Sequence, residues 1–245
     1  SLHRSLRELA DQGITHLALE ASSHGLDQFR LDGVRVGAAA FTNLTRDHLD
    51  YHGSMEVYLE SKARLFADVL VDGGTAVLNA EAPEFNKLQK ICADHGHQIL
   101  TYGIKQGDIF CKRIIETPVG YDLDLAVNDA RFIVSLPLIG QFQIANALCA
   151  LGLAIATGEK PKPTVAALEK LQSAPGRMQS ITGHPSGAMV FVDYAHTPDA
   201  LSHVLQAVRP HTKKTLSVVF GCGGDRDTGK RPEMGKIAAE YADWV

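Results

Sequence analysis

Hydrophobic residues follow two rhythms along the first hundred residues, and the two rhythms alternate. Apolar positions at helical spacing predict helices over residues 3–12, 54–70 and 83–94. Short apolar runs between them predict buried strands over His16–Glu20, 34–42, Thr75–Leu78 and Gln98–Tyr102. Strands that alternate with helices are typical of an α/β protein with a largely parallel sheet and flanking helices.

The second half of the chain first breaks this alternation and then restarts it. Shorter alternating runs within residues 107–137, including Tyr121–Val127 and Phe132–Leu136, predict a small antiparallel excursion. Two predicted helices follow, over 142–157 and 163–172. After the turn signal Pro175-Gly176-Arg177 the pattern predicts strand Met189–Val192, helix Pro198–Val208, strand Thr215–Phe220 and helix Pro232–Tyr241. We therefore expect one domain over 1–178 and the first half of a second α/β domain over 179–245.

The composition of the chain argues against several classes of function. The 245 residues carry 24 Lys+Arg against 28 Asp+Glu, a net charge of −4, which does not favour a nucleic-acid-binding surface. No apolar run approaches the ~18–20 residues that span a bilayer. The four cysteines form no CxxC pair, so we expect reduced thiols rather than disulfides or structural zinc. The chain opens in helical rhythm without Met and closes on a strand-like segment, so we expect part of a longer protein.

Polar residues follow two of the predicted strands. Glu20 ends the first and is followed by Ser22-Ser23-His24-Gly25, at the strand end where open α/β sheets bind ligands. Its carboxylate suits a hard divalent cation. A capping role in the next turn is an equally good interpretation from position alone.

The segment 43–53 contains two His and two Asp residues within six positions. It predicts a cation or phosphate site. A metal-hydrolase cluster is an alternative, because His48 and His52 are four apart and would share one face of a helix. A polar turn is a third interpretation. Gly53 and the preceding strand favour a loop over a helix.

Four further features bear on ligand binding. Lys62 lies in the predicted helix 54–70, and spacing alone predicts a solvated charge there. Gly140 precedes a helix, and Asp193–Asp199 joins a strand to a helix; both are settings that accept anions. The glycine-rich run Gly221–Asp227 can wrap an anion with backbone N–H groups but is not a Walker A motif.

In this order, these segments resemble the Mur ligase family, and most closely its tripeptide-forming members. The strings that carry the resemblance are LEASSHGLDQFR (19–30), FTNLTRDHLDYHG (41–53), LNAEAP (78–83), GQFQIANAL (140–148), APGRMQ (174–179), FVDYAHTPDAL (191–201) and GCGGDRDTGKRP (221–232). The resemblance covers nearly the whole chain. It implies the central ATP-binding domain of that family and the first half of its Rossmann-like C-terminal domain.

The resemblance also implies a reaction. ATP phosphorylates the D-Glu carboxylate of UDP-N-acetylmuramoyl-L-alanyl-D-glutamate, and a diamino acid, by our expectation meso-diaminopimelate, attacks the acyl phosphate to form an amide. The expected cofactor is Mg²⁺, and the expected setting is peptidoglycan synthesis in the bacterial cytoplasm. We expect a monomer that binds neither nucleic acid nor membrane.

Residue roles carry over from the same resemblance. Glu20, His48 and Lys62 match magnesium ligands; His48 and Lys62 are the expected catalytic pair, and Lys62 is the lysine that the family carbamylates. Three positions match contacts to the UDP-linked dipeptide: Ser22, Gln28 and Arg30. Four more match contacts to the nucleotide: Asn79 and Asn146 on the adenine and nucleotide side, and Arg177 and Asp193 as ATP contacts beside the hinge. His196 is expected near substrate or nucleotide.

The sequence departs from the family pattern in three features, and several alternatives remain open. The family's Thr-Asn-Gly-Lys-Thr phosphate loop, its UDP-binding domain and the motif that selects the amino acid are not in this sequence, so we expect residues 1–245 alone to be inactive. L-Lysine is the alternative amino acid. Folylpolyglutamate or cyanophycin synthetase is the alternative within the fold. A metal hydrolase and a non-catalytic nucleotide-binding module are the alternatives from other classes.

Overall fold

The computed structural model describes residues 1–45, 48–181, 183–223 and 228–245, which form two compact units. The first unit contains Ser1–Cys111, Ala126–Arg131 and Ala145–Thr164. The second contains Lys112–Leu125, Phe132–Ile144 and Val165–Val245. Parts of two predicted ligand-binding segments, residues 46–47 and 224–227, lie outside the described residues.

The helices and strands alternate through most of the chain. The helices are α1 (Leu2–Asp11), α2 (Ser23–Asp27), α3 (Leu49–His52), α4 (Met55–Arg64), α5 (Phe85–Asp94), α6 (Gln141–Ala156), α7 (Pro161–Ala167), α8 (Pro198–Val208) and α9 (Lys230–Tyr241). The strands are β1 (Val36–Phe41), β2 (Leu70–Asn79), β3 (Gln98–Tyr102), β4 (Ile109–Thr117), β5 (Gly120–Val127), β6 (Ala130–Leu136), β7 (Gln179–Ile181) and β8 (Val190–Val192). One π-helical turn, Leu65–Val69, continues α4, and 3-10 turns cover Leu168–Lys170 and Arg209–His211.

Six strands form one sheet in the order β1-β2-β3-β4-β5-β6. The pairs β1–β2, β2–β3 and β3–β4 are parallel. Only two residues separate β4 from β5, and β5 from β6, as in β-hairpins, whose paired strands are antiparallel. The predicted fold class, a mostly parallel sheet with flanking helices and a small antiparallel excursion, is confirmed. The strands β7 and β8 form a separate antiparallel pair.

The first unit buries one face of its parallel strands under α4, the π-helical turn and α5. Ala76 and Leu78 of β2 belong to this core together with Phe66 of the π-helical turn and Leu88 of α5. Successive strand residues point to opposite faces, so Val77 faces the other side, where the interior of α6 packs against it at Gly152. β2 is thereby packed from both sides.

The second unit has its own core. Leu201 and Leu205 of α8 pack there with Met234 and Ala238 of α9, and with the buried Met178. Thr197 caps α8, since its side chain accepts the N–H of Ala200, and Pro198 occupies the first turn. The described helices include none that combines the length and hydrophobicity required to span a bilayer.

Three predictions of local structure were wrong. His16–Glu20 is exposed and forms no strand, because a strand needs a hydrogen-bonding partner and none pairs with it among the described residues. Thr215–Phe220 reduces to one isolated parallel bridge between Ser217 and Trp244. Leu49–His52 forms a short helix rather than a loop, with His48 in the left-handed conformation before it and Gly53 at φ +75° after it.

Candidate active site

A cavity of about 1100 Å³ opens in the first unit beside the end of β1. Thr42 and Asn43, which follow β1, line it together with Glu20 and Lys62. The predicted metal-binding residues Glu20 and Lys62 therefore share one cavity. His48 is absent from its lining. The described residues include no cluster of three His, Cys, Asp or Glu side chains that could hold a metal ion unaided.

Lys62 is half-buried rather than fully solvated, contrary to what its helical spacing alone predicts. Ser54 caps the start of α4 by accepting the N–H of Val57, which fixes the helix that carries Lys62. The Lys62 Nζ lies 5.1 Å from the centroid of the Tyr58 ring, one turn earlier on α4. This ring–cation contact and the wall of the cavity hold the amine in a defined place.

The Ser22 side chain forms a hydrogen bond with the backbone of the helix that follows it, α2. The side chain accepts the N–H of Gly25 at 3.1 Å and so caps α2. Gly25 fits there because an added Cβ would lie 3.1 Å from the Ser22 hydroxyl. The predicted dipeptide contacts Gln28 and Arg30 follow directly after α2, and both are exposed.

His52 is a buried residue that connects α2, α3 and α4. Its Nε2 lies 3.0 Å from the Ser23 hydroxyl, its Nδ1 lies 3.4 Å from the Ser61 hydroxyl, and its ring stacks on Tyr58. Burial lowers the pKa of His52 from its ordinary value, and the neighbouring His24 lowers it further. Because serine hydroxyls occupy both ring nitrogens, His52 is unsuited to ligate a metal. The metal-hydrolase interpretation of the 43–53 segment loses one of its two histidines.

Ring contacts extend from His52 to the surface. His24 packs edge-on to His48 with centroids 4.7 Å apart, and against Tyr51 at 4.1 Å. The Tyr51 hydroxyl donates to Asp27 at 2.7 Å. This bond is the main reason that the pKa of Asp27 lies below its usual value. Sequence reasoning gave no role to Tyr51 or Asp27; they meet across 24 positions, and spacing along the chain carries no signal for such a contact.

Asn79 ends β2 and ties three segments together. Its side-chain amide donates to the Thr42 carbonyl at 3.1 Å, and its side-chain oxygen accepts the N–H of Glu81 at 3.0 Å. A second cavity, of about 560 Å³, lies beside the turn that follows it. Its lining includes Phe85 and Gln106. Asn146, the other predicted nucleotide contact of this unit, is exposed in the second turn of α6.

The predicted contacts of the second unit lie around one carboxylate. Asp193 accepts the N–H of Met178 at 2.7 Å and that of Ala195 at 2.8 Å. The Arg177 guanidinium lies 5.4 Å from the centroid of the Tyr194 ring, and His196 Nδ1 lies 3.0 Å from the Tyr194 carbonyl oxygen. Arg177, Asp193 and His196 thus gather in one loop cluster, with Asp193 holding its backbone.

Polar groups at the carboxyl ends of parallel strands, beside cavities large enough for a small molecule, define a ligand-binding α/β protein. Two family models match the chain: the Mur ligase middle domain over residues 1–154, and the Mur ligase glutamate ligase domain over residues 176–245. The chain belongs to the Mur ligase family.

Named relatives give a finer comparison. A UDP-N-acetylmuramoyl-L-alanyl-D-glutamate--2,6-diaminopimelate ligase of Rhizobium meliloti (strain 1021) is 50% identical over 245 residues, which is 100% of this chain and 50% of the relative. A solved structure of a ligase with the same name is 41% identical, with a TM-score of 0.77, and the match covers 98% of this chain and 49% of that one. A MurF structure from Acinetobacter baumannii, at 23% identity and a TM-score of 0.71 over 82% of this chain and 43% of that one, shares the fold. The chain spans about half the length of the curated relatives it matches.

Proposed function

We propose that this chain supplies the central domain (residues 1–178) and the start of the C-terminal domain (179–245) of an ATP-dependent ligase. The ligase joins a diamino acid to UDP-N-acetylmuramoyl-L-alanyl-D-glutamate. The names of relatives that are about 50% identical over the whole chain support this substrate pair. The observation that carries the proposal is the half-buried Lys62 in one cavity with Glu20 and the residues that follow β1.

The chemistry requires activation, because a carboxylate is a poor electrophile for an amine. A carboxylate oxygen of the D-Glu attacks the γ-phosphorus of ATP, and ADP leaves. The amine of the diamino acid then attacks the acyl carbon, and the carbon–oxygen bond to phosphate breaks. One amide, one ADP and one phosphate result. The protein contributes by holding the reactants in line and by stabilising charge on the transferring phosphoryl group.

The lining of the larger cavity fits a magnesium ion in its donor chemistry. The Glu20 carboxylate and the side-chain oxygens of Thr42 and Asn43 are the hard donors that Mg²⁺ prefers. Bound Mg²⁺ would neutralise charge on the phosphoryl oxygens. Lys62 as an ammonium would oppose a cation. We therefore propose that its neutral amine adds to carbon dioxide and loses a proton, which gives an anionic carbamate with two oxygen donors. His48 is proposed as a further ligand of the same ion.

The remaining contacts are proposed by position. Asn79, Asn146, Arg177 and Asp193 are proposed as nucleotide contacts, and His196 as a contact of substrate or nucleotide. Ser22, Gln28 and Arg30 bind the UDP-linked dipeptide. We propose meso-diaminopimelate as the added amino acid, with L-lysine as the competing substrate in the test. We propose a monomer acting in the bacterial cytoplasm, where its nucleotide-linked substrate is made.

The test uses the full-length protein with ATP, Mg²⁺, the UDP-linked dipeptide and each amino acid. We expect amide formation with diaminopimelate and release of one ADP per amide. Lys62→Arg keeps the positive charge but cannot form a carbamate, so it should lose activity as fully as Lys62→Ala, by at least ~100-fold. Lys87→Arg is the matched control, because Lys87 is exposed on α5 and lies 3.9 Å from Glu60 at the surface. Activity in Lys62→Arg near that of the wild type would exclude the carbamate, and no amide from the wild type would exclude the ligase.

A further inference from the structure

A chain of side-chain hydrogen bonds connects the two exposed residues that follow α2 to the interior of the first unit. Arg30 Nη2 donates to the side-chain oxygen of Gln28. The Gln28 amide nitrogen donates to the Tyr51 hydroxyl at 3.2 Å. Tyr51 in turn donates to Asp27 at 2.7 Å. The proposed dipeptide contacts Gln28 and Arg30 are therefore held by two residues that the sequence did not single out.

The donor–acceptor order in this chain fixes the orientation of the Gln28 amide. A guanidinium has only donors, so the oxygen of Gln28 must face Arg30 and its NH₂ group must face Tyr51. A hydroxyl has one hydrogen, which Tyr51 gives to the Asp27 carboxylate, so its oxygen is left to accept from Gln28. Without that hydroxyl, nothing in this chain of bonds holds the amide nitrogen of Gln28. Arg30, which has five N–H donors, would lose the partner that aims it.

Asp27 also connects this group to α4. Its second carboxylate oxygen lies 3.4 Å from the Ser61 hydroxyl, next to Lys62 in sequence. Ser61 is buried and donates to the carbonyl of Val57 within the helix, so it is itself firmly placed. Asp27 thus accepts the Tyr51 hydroxyl on one oxygen and lies against the firmly placed Ser61 hydroxyl with the other. The carboxylate gives Tyr51 a fixed, charged acceptor, which makes for a stronger bond than a neutral partner would.

We propose that Tyr51 and Asp27 are positioning residues for the UDP-linked dipeptide, acting through Gln28 and Arg30, and that they set its affinity without acting on ATP. The proposal rests on the function proposed above. An acidic substrate fits the arrangement, because a guanidinium aimed by one neutral partner keeps donors for a carboxylate or a phosphate.

The test is equilibrium binding of the UDP-linked dipeptide to the full-length protein, measured by titration calorimetry, with steady-state kinetics beside it. Tyr51→Phe keeps the ring that packs on His24 and removes only the hydroxyl. We expect Kd and KM for the dipeptide to rise roughly tenfold, the usual effect of losing a hydrogen bond to a charged group. We expect kcat and KM for ATP to stay within about twofold. Tyr241→Phe, a hydroxyl removal in α9 of the other unit, is the matched control.

Substitutions of Asp27 provide a second test of the same proposal. Asp27→Asn keeps an oxygen that can accept from Tyr51, so it should weaken binding less than Asp27→Ala. Tyr51→Phe combined with Asp27→Ala should weaken dipeptide binding no more than the worse single variant, because both act through one chain of bonds.

Three results would overturn the proposal. Dipeptide binding by Tyr51→Phe equal to that of the wild type would refute it and leave the ligase standing. Equal rises in KM for ATP and dipeptide would indicate general damage to the unit rather than positioning. If the wild type itself bound no dipeptide, both the proposed function and this inference would fall together.

Discussion

Gly152 lies in the interior of α6, where the helix approaches β2, and its replacement by alanine tests how tightly the two are packed. An alanine Cβ would lie 2.7 Å from Val77 Cγ1, well inside contact distance. Val77 is fully buried, and its branched side chain has little rotamer freedom. The next nearest atoms to the added Cβ, Ile109 Cδ1 at 3.6 Å and Leu100 Cδ2 at 3.8 Å, lie at ordinary contact distance, so the steric conflict is with Val77.

Two opposing terms set the size of the effect. Alanine is favoured over glycine in a helix interior by ~0.8–1.0 kcal/mol. Overpacking a well-filled core costs ~1–3 kcal/mol. Gly235 isolates the first term, because it lies inside α9 with nothing within 4 Å of an added Cβ. We therefore expect Gly235→Ala to stabilise the protein, and Gly152→Ala to be less stable than Gly235→Ala by about 1–3 kcal/mol, the overpacking cost.

The assay is urea denaturation followed by far-ultraviolet circular dichroism, with peptide-level hydrogen exchange to assign the change to α6 or α9. A difference of 1 kcal/mol corresponds to about 2–4 °C in Tm for a protein of this size. Stabilisation by Gly152→Ala equal to that by Gly235→Ala would show that α6 and β2 are not in contact at this point. Since β2 ends at Asn79 and α6 carries Asn146, this packing also positions two of the proposed nucleotide contacts.

Two further substitutions test single interactions. His52→Phe should keep the stacking on Tyr58 but leave the buried Ser23 hydroxyl without its hydrogen-bond partner. We expect the free energy of unfolding, measured by urea titration, to fall by about 1–3 kcal/mol. Adding Ser23→Ala should recover part of this loss, and no recovery would contradict the hydrogen bond between His52 and Ser23. The Arg209 guanidinium and the N–H of Leu216 hold the pKa of Asp243 at about 2, below its usual 3.8. The folded protein therefore binds that proton less readily than the unfolded chain, and the stabilisation is present above pH 3.8 and lost as the pH falls toward 2. Asp243→Asn should flatten the loss of unfolding free energy across that pH window, and parallel curves for wild type and variant would refute the role of this pair.

Local signals in the sequence predicted the elements that depend on local chemistry. β3 was predicted residue for residue, since a short apolar run follows a helix and a Gly-His turn. α8 was predicted equally well, because Thr197 and Pro198 mark its start. Where an element depends on residues that are distant in sequence, the prediction of its structure was wrong. The short apolar run in His16–Glu20 predicts a buried strand, but a strand forms only against a neighbour. β2 begins five residues before its predicted start, because Asp72-Gly73-Gly74 signals a turn but forms an irregular segment of the strand.

The residues of the candidate site show the same difference between local signals and distant contacts. Glu20 was singled out by its place after a predicted strand and Lys62 through motif resemblance alone, and both line one cavity. The spacing of Lys62 predicted a solvated side chain, because helical periodicity reports which face is apolar and not what the rest of the chain brings to the polar face. Tyr51 was missed for a related reason: its role depends on a contact with Asp27 that no local pattern announces.

One isotope measurement decides whether the carboxylate is activated as an acyl phosphate. The D-Glu side-chain carboxylate of the UDP-linked dipeptide is labelled with ¹⁸O and turned over by the full-length protein with ATP and diaminopimelate, and the released phosphate is analysed by mass spectrometry. We expect one ¹⁸O atom in each phosphate and one retained in each amide, because the bridging oxygen leaves with phosphorus. Amide formation with unlabelled phosphate would contradict it.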